Sequence, residues 1–192
     1  MALLEREQAR LAIAGSLSRA REGQGAVVFL VAEAGLGKTA LLAETCGQAA
    51  GFTVGRASCS ELEESVPFGL LDRLLGRFGV PGSELGPELA GSAEARVRRY
   101  AGILAWLRGP APVPLLLAVD DLNWGDADSV ELLSLLCRRL GDMAVAVLAT
   151  ARPWPSGALD QARALVHDGF ARLERLRPLS GAASAALLLR IT

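Results

Sequence analysis

Lysine is almost absent from this 192-residue chain: of its 20 basic side chains 19 are arginine, and the one lysine is Lys38. There is one histidine, His167, so no histidine-built metal site is available. The three cysteines, Cys46, Cys59 and Cys137, are odd in number, far apart and without a CxxC, which argues against a disulfide framework and a zinc site and for a reducing compartment. No charge dominates: 20 basic residues face 21 acidic ones, and nothing global calls for nucleic acid or an anionic membrane. No apolar run approaches the ~20 residues a membrane helix needs. The first residues, "MALLEREQAR", mix charges with short apolar runs and show no signal peptide. The expected location is the cytosol. GxSxG is missing, so a serine nucleophile elbow is not offered.

What is present is an alternation of strands and helices. Residues 4–22 carry Leu4, Leu11, Ile13 and Leu17 among charges, as an amphipathic helix does, and Gly23–Gly25 end it. The run 26–32, "AVVFLVA", suits a strand covered on both faces, and a helix over 38–50 follows. A second strand is expected over 52–59, a helix over 66–78, a Gly- and Pro-rich loop over 79–92 and a helix over 93–108. Then come a strand over 115–121, a helix over 127–140, a strand within 143–153 and a helix over 158–168. Residues 170–179 alternate as an edge strand would, and a last helix begins at 180. Such alternation implies one α/β domain with a parallel sheet and helices on both faces.

The turn between the first strand and the second helix is the first chemical signal. Ala32, Glu33, Ala34, Gly35, Leu36, Gly37, Lys38 and Thr39 fit the Walker A phosphate loop, with Ala in its first place, and Ala40 continues the helix. Backbone N–H groups at a helix N-terminus form an anion nest, and glycine lets the backbone approach phosphate. Lys38 is expected on the β- and γ-phosphates and Thr39 on Mg²⁺. An ammonium is a compact charge on a thin stem and fits such a cradle better than a guanidinium fork. Ala32 is acceptable there if its φ is negative.

The second signal is "LLLAVDDLNWGDADS", an apolar strand ending in Asp120-Asp121. Asp120 suits the role of holding Mg²⁺ through water, and Asp121 can polarise an attacking water. The competing reading is that the pair caps the next helix, a task for which Asp126 or Asp128 is better placed. The third signal is "LATARP", where a strand ends on Thr150, Ala151 and Arg152; a polar or basic group there could sense a terminal phosphate, and Arg152 is the candidate.

In order along the chain, "LLEREQARL", "AEAGLGKTALL", "SCSELEESVPFGLLDRLL", "AVDDLNWGDADSVELL" and "LATARP" resemble the ATPase module of large LuxR-type transcriptional regulators. These are signal-transduction ATPases with numerous domains, a P-loop branch near the AAA+ class. The resemblance covers nearly the whole chain. It implies a three-layer P-loop NTPase core with sheet order 5-1-4-3-2, which puts the strand ending at Arg152 between the two Walker strands. It also implies that Arg6 lies near the adenine. Two residues depart from the family pattern: Ala32 stands for the usual Gly, and Asn123 stands where relatives commonly carry His.

The expected function is an ATP- and Mg²⁺-binding core of a signalling ATPase, a switch with slow hydrolysis. ATP or ADP and downstream regulatory domains or protein partners are the expected partners, with no direct nucleic acid contact and no membrane. The chain reads as a single core over 1–192 that ends before a helical lid domain, and the apolar Leu187, Leu188, Leu189 and Ile191 suggest self-association. Two alternatives stand: a small-molecule P-loop kinase, and a truncated, non-catalytic interaction fragment. His167 reads as structural. "ARVRRYAGILAW" (95–106) reads as a helix with Ile103, Leu104 and Leu107 inward and its arginines outward.

Overall fold

The structure is a computed structural model that describes residues 4–80, 92–109 and 113–188. Most of the expected loop at 79–92, and the side chains of Leu187, Leu188, Leu189 and Ile191, lie outside what it describes.

Among the described residues five strands form one parallel sheet: β1 (Ala26–Val31), β2 (Thr53–Ser58), β3 (Leu115–Asp120), β4 (Val145–Ala151) and β5 (Arg172–Arg175), in the order β2-β3-β4-β1-β5. This is the expected order. β1, β3 and β4 are buried along their full length, which is why their sequences are unbroken apolar runs. Side chains alternate between two cores. Val27, Phe29 and Val31 of β1 face one, with Leu115, Leu117 and Val119 of β3; Val28 and Leu30 face the other, with Leu116 and Ala118. Helices α1 (Glu7–Arg21) and α2 (Lys38–Gln48) cover the second face. Helices α3 (Gly69–Leu75), α4 (Ala93–Leu107), α5 (Ala127–Cys137) and α6 (Gly157–His167) cover the first. A further helix, α7 (Gly181–Leu188), begins beside Glu5, whose carboxylate accepts the Ser180 N–H at 2.8 Å.

Three local expectations change. Leu11 of α1 is not a core residue; it is 74% exposed, and Ala9, Ala12, Ser16 and Ala20 join Ile13 as the buried stripe. These small residues let the helix lie close on the sheet. The helix expected over 66–78 is regular only from Gly69 to Leu75, because Phe68 takes a left-handed backbone (φ 61°) and residues 76–78 tighten into a 3-10 turn. On α4 not every arginine points outward. Arg99 is buried, its guanidinium 2.6 Å from Asp72 Oδ1 and 4.6 Å from the centre of the Phe68 ring.

Candidate functional site

Every expected site residue from the phosphate loop, the acidic pair and the β4 end lies at or beyond the C-terminal end of β1, β3 or β4, three adjacent strands. That edge is where open parallel sheets place their ligands.

The loop leaves β1 gradually. The Ala32 N–H still donates to the Ala151 carbonyl at 3.2 Å, and the Ala32 side chain is buried in the core under α1 and α2. Among the described residues, positive φ outside glycine occurs at Glu5, Phe68 and Asp121, so Ala32 meets the condition its replacement of Gly sets. Gly35 (φ 77°) and Gly37 (φ 83°) do need the left-handed region. A Cβ on either would meet nothing within 4 Å, so the space over the loop is open. Gly37 starts α2 with no side-chain cap, which leaves the helix's first N–H groups for an anion. Thr39 is exposed in that first turn.

Lys38 is 6% exposed, and its ammonium donates to the carbonyls of Ala32 (2.8 Å) and Glu33 (2.9 Å). Two of its three N–H groups are thereby used, and the third is left for a ligand. Burial lowers its pKa below the usual lysine range; Asp121, Asp120 and Glu33 pull the other way, while nearby Arg152 adds to the lowering.

Asp120 is the last residue of β3 and is buried. The Thr150 hydroxyl, fully buried on β4, donates to Asp120 Oδ1 at 2.6 Å and accepts the Asp121 N–H at 2.8 Å. In the sequence Thr150 stands out only as one residue of a strand end. A hydroxyl inside a wholly buried strand is the signal that could have singled it out, since such a group must find a partner. Asp121 takes a left-handed backbone (φ 51°, ψ 49°) and opens a 3-10 turn over Leu122–Trp124. Its carboxylate lies 3.9 Å from Arg152 Nε, and the Arg152 guanidinium lies 4.7 Å from the centre of the Trp154 ring. Asn123 holds its side-chain oxygen buried without a hydrogen-bond partner.

Asp126 does cap the next helix: Oδ1 accepts the Ser129 N–H at 2.9 Å. It also accepts the N–H groups of Phe68 (2.8 Å) and Leu70 (3.0 Å), and the Ser129 hydroxyl accepts the Leu71 N–H at 3.1 Å. One buried carboxylate thus starts two helices, which joins "VPFG" to "DADS" across the first core. The capping work falls on Asp126, and Asp120 and Asp121 take no part in it.

Arg6 lies on the other flank of the loop. It is buried and donates to the carbonyls of Glu5 (2.8 Å) and Leu36 (3.0 Å), so it grips the loop from the start of α1. A cavity of about 460 Å³ opens beside it, lined also by Glu174, Arg175, Leu176 and Ser180. His167 ends α6 at a distance in sequence from all of these groups, and Cys46, Cys59 and Cys137 are free thiols. Burial pushes Cys59 and Cys137 up to about 12, which makes both inert near neutral pH. Among the described residues no cluster of three or more His, Cys, Asp or Glu is arranged to hold a metal, and no helix is long and apolar enough to cross a membrane.

Residues 2–148 match the family of the AAA ATPase domain. Of the solved structures, the ORC2 protein of Aeropyrum pernix, in ADPNP and ADP complexes, superposes with a TM-score of 0.63 at 17% identity, covering 98% of this chain and 52% of that one. The ORC1 protein of the same organism, in complex with DNA, gives 0.62 at 19% identity, covering 98% and 49%. Drosophila ORC bound to DNA gives 0.59 at 18%, covering 97% and 46%. This chain therefore spans about half the length of the structures it resembles. At these identities the likeness is one of fold. No curated protein matches.

Proposed function

Since the chain belongs to the AAA ATPase domain family, we propose that it is the ATP- and Mg²⁺-binding core of a signalling P-loop ATPase, a switch set by which nucleotide it holds. One observation carries the reading. An uncapped helix start with a buried ammonium faces two carboxylates and a guanidinium across three adjacent strand ends.

In this reading the loop from Ala32 to Ala40 wraps the phosphates, and Lys38 adds its free N–H to them. Thr39 and Asp120 hold the Mg²⁺. The donor set fits: Thr150 occupies only Oδ1 of Asp120, leaving the other oxygen, and Thr39 presents its hydroxyl to solvent. Bound there, Mg²⁺ would offset phosphate charge. Asp121 takes the proton of the attacking water, and Arg152 senses the terminal phosphate. Arg6 positions the loop through Leu36, and the cavity beside it has room for the adenine. Hydrolysis is slow in this reading, because the strand-end site is open on one side.

The switch reading extends to partners. Downstream regulatory domains or other proteins read the nucleotide state; the near-neutral chain itself makes no nucleic acid contact. The LuxR-type affiliation and a P-loop core over 1–192 belong to the same proposal. Calorimetric titration with Mg·ATP, Mg·ADP and each nucleotide in EDTA tests it. Saturable binding strengthened by Mg²⁺ is expected; heats no larger than dilution would end the proposal.

A further inference from the structure

Arg152 is placed in an unusual way. Among the described residues its guanidinium makes no hydrogen bond. The nearest carboxylate oxygen, on Asp121, is 3.9 Å from Nε, and Nε is shielded from solvent with no hydrogen-bond partner. Leaving a buried charged donor unpaired is costly, so a fold keeps one only where something else holds it or an acceptor arrives. What holds it is the face of Trp154, 4.7 Å from the guanidinium carbon. An aromatic face attracts the cation and fixes its plane without using any N–H. Trp154 sits between Pro153 and Pro155, which narrows the backbone choices of this short segment, and its ring is 43% exposed.

The strand register aims the pair. Ala151 pairs with Val31, the residue before the phosphate loop, so Arg152 leaves the sheet between that loop and the acidic pair. It lies close enough to Lys38 for the two cations to repel. Two cations converge here, and each keeps at least one N–H unused.

We infer that Trp154 is a positioning residue: its ring holds the Arg152 guanidinium ready for a terminal phosphate, and this makes the chain prefer a nucleoside triphosphate to a diphosphate. The inference rests on the nucleotide reading above and adds the residue that sets its selectivity. A ring that merely filled space would affect both nucleotides alike. A ring that orients Arg152 affects only the ligand that reaches Arg152.

The experiment is calorimetric titration of the full chain with Mg²⁺ and either ADP or the β,γ-imido analogue of ATP, for wild type, Trp154→Leu, Trp154→Phe and Arg152→Gln. Trp154→Leu should lose about three- to tenfold in affinity for the triphosphate, the size of an exposed to partly desolvated cation–π contact, and change little for ADP. Trp154→Phe should keep most of the preference. Arg152→Gln should abolish it and leave Trp154→Leu with no further effect in the double variant, a comparison that stands even if one single variant melts early. Equal losses for both nucleotides, or no loss for either, would overturn the role of Trp154. Wild type that binds both nucleotides equally would overturn it while leaving the nucleotide site in place. Wild type that binds neither would remove both.

Discussion

The Thr150 hydroxyl donates to Asp120 at 2.6 Å while accepting the Asp121 N–H, so one side chain on β4 fixes both residues of the acidic pair on β3. The arrangement depends on strand order. β4 must lie beside β3 for the hydroxyl to reach, and Thr150 follows Ala149, the partner of Val119 in the sheet.

Thr150→Val tests this directly. Valine keeps the shape and β-branching but leaves a buried carboxylate oxygen and a backbone N–H without a partner. A cost of about 2–4 kcal/mol is expected, the range for hydrogen bonds to charged groups plus an unmet donor. Thr150→Ser, which keeps the hydroxyl, should recover most of it. Urea unfolding of the three proteins measures the difference; equal midpoints for wild type and the valine variant would show that the bonds contribute nothing.

Asp126 should matter more to stability than any other carboxylate near the site, because three backbone N–H groups converge on it. Asp126→Ala removes an N-cap and strands buried donors at the start of α3, for a loss of about 3 kcal/mol or more. Asp128→Ala removes a partly exposed partner of Arg96 and should cost under about 1 kcal/mol. Thermal melts of the two variants side by side give the ranking, and a reversed ranking would refute it.

The sequence and the structure agree where local signals decide. The buried strands are unbroken apolar runs, and the loop glycines sit where the backbone turns left-handed. Strand order came from family resemblance, since no run of residues states which strand lies beside which. The sequence could not show that Asp126 starts α3, because its acceptor atoms and the Phe68 N–H are 58 residues apart. The buried Arg99 was missed for the same reason: its partners, Asp72 and the Phe68 ring, come from another helix and the turn before it. Leu11 misled because periodicity treats large apolar residues as the core face, whereas α1 packs through alanine and serine.

Lys38 is expected to trade stability for function. Its folded-state pKa is lowered, chiefly by burial, so the charged form is disfavoured in the fold. The unfolded chain then binds the proton more tightly. The penalty is fully present below the folded-state pKa and is relieved as pH rises from there towards the ordinary lysine value of 10.5. Lys38→Met, neutral and similar in length, sheds that penalty but also loses the hydrogen bonds to the Ala32 and Glu33 carbonyls, so it should melt close to wild type at neutral pH without nucleotide. It should also lose the upward shift that Mg·ATP gives the wild type through mass action. A methionine variant that still shifts with Mg·ATP as wild type does would remove Lys38 from the phosphate site.

Asp120 and Asp121 should separate in function although they are adjacent. Asp120 is buried and tied to Thr150, with one oxygen left for a cation's water shell. Asp120→Asn keeps an acceptor for the Thr150 hydroxyl, so the fold should survive. The negative charge that attracts Mg²⁺ is lost, and nucleotide affinity should fall in Mg²⁺ but hardly change in EDTA. Asp121 is half-exposed, and its left-handed backbone turns it out of the strand beside Arg152. Asparagine tolerates that backbone as well as aspartate does. Asp121→Asn should therefore bind Mg·ATP about as wild type does. It cannot accept the proton of a water, so whatever hydrolysis the wild type shows should drop by about 10²-fold or more. Titration calorimetry and single-turnover phosphate release on the same preparations distinguish the two. If both variants lost binding to the same extent, or if Asp121→Asn hydrolysed ATP at the wild-type rate, the division of labour between coordinating and proton-accepting carboxylates would be wrong, and the left-handed turn at Asp121 would have only the geometry of the following 3-10 turn to explain it.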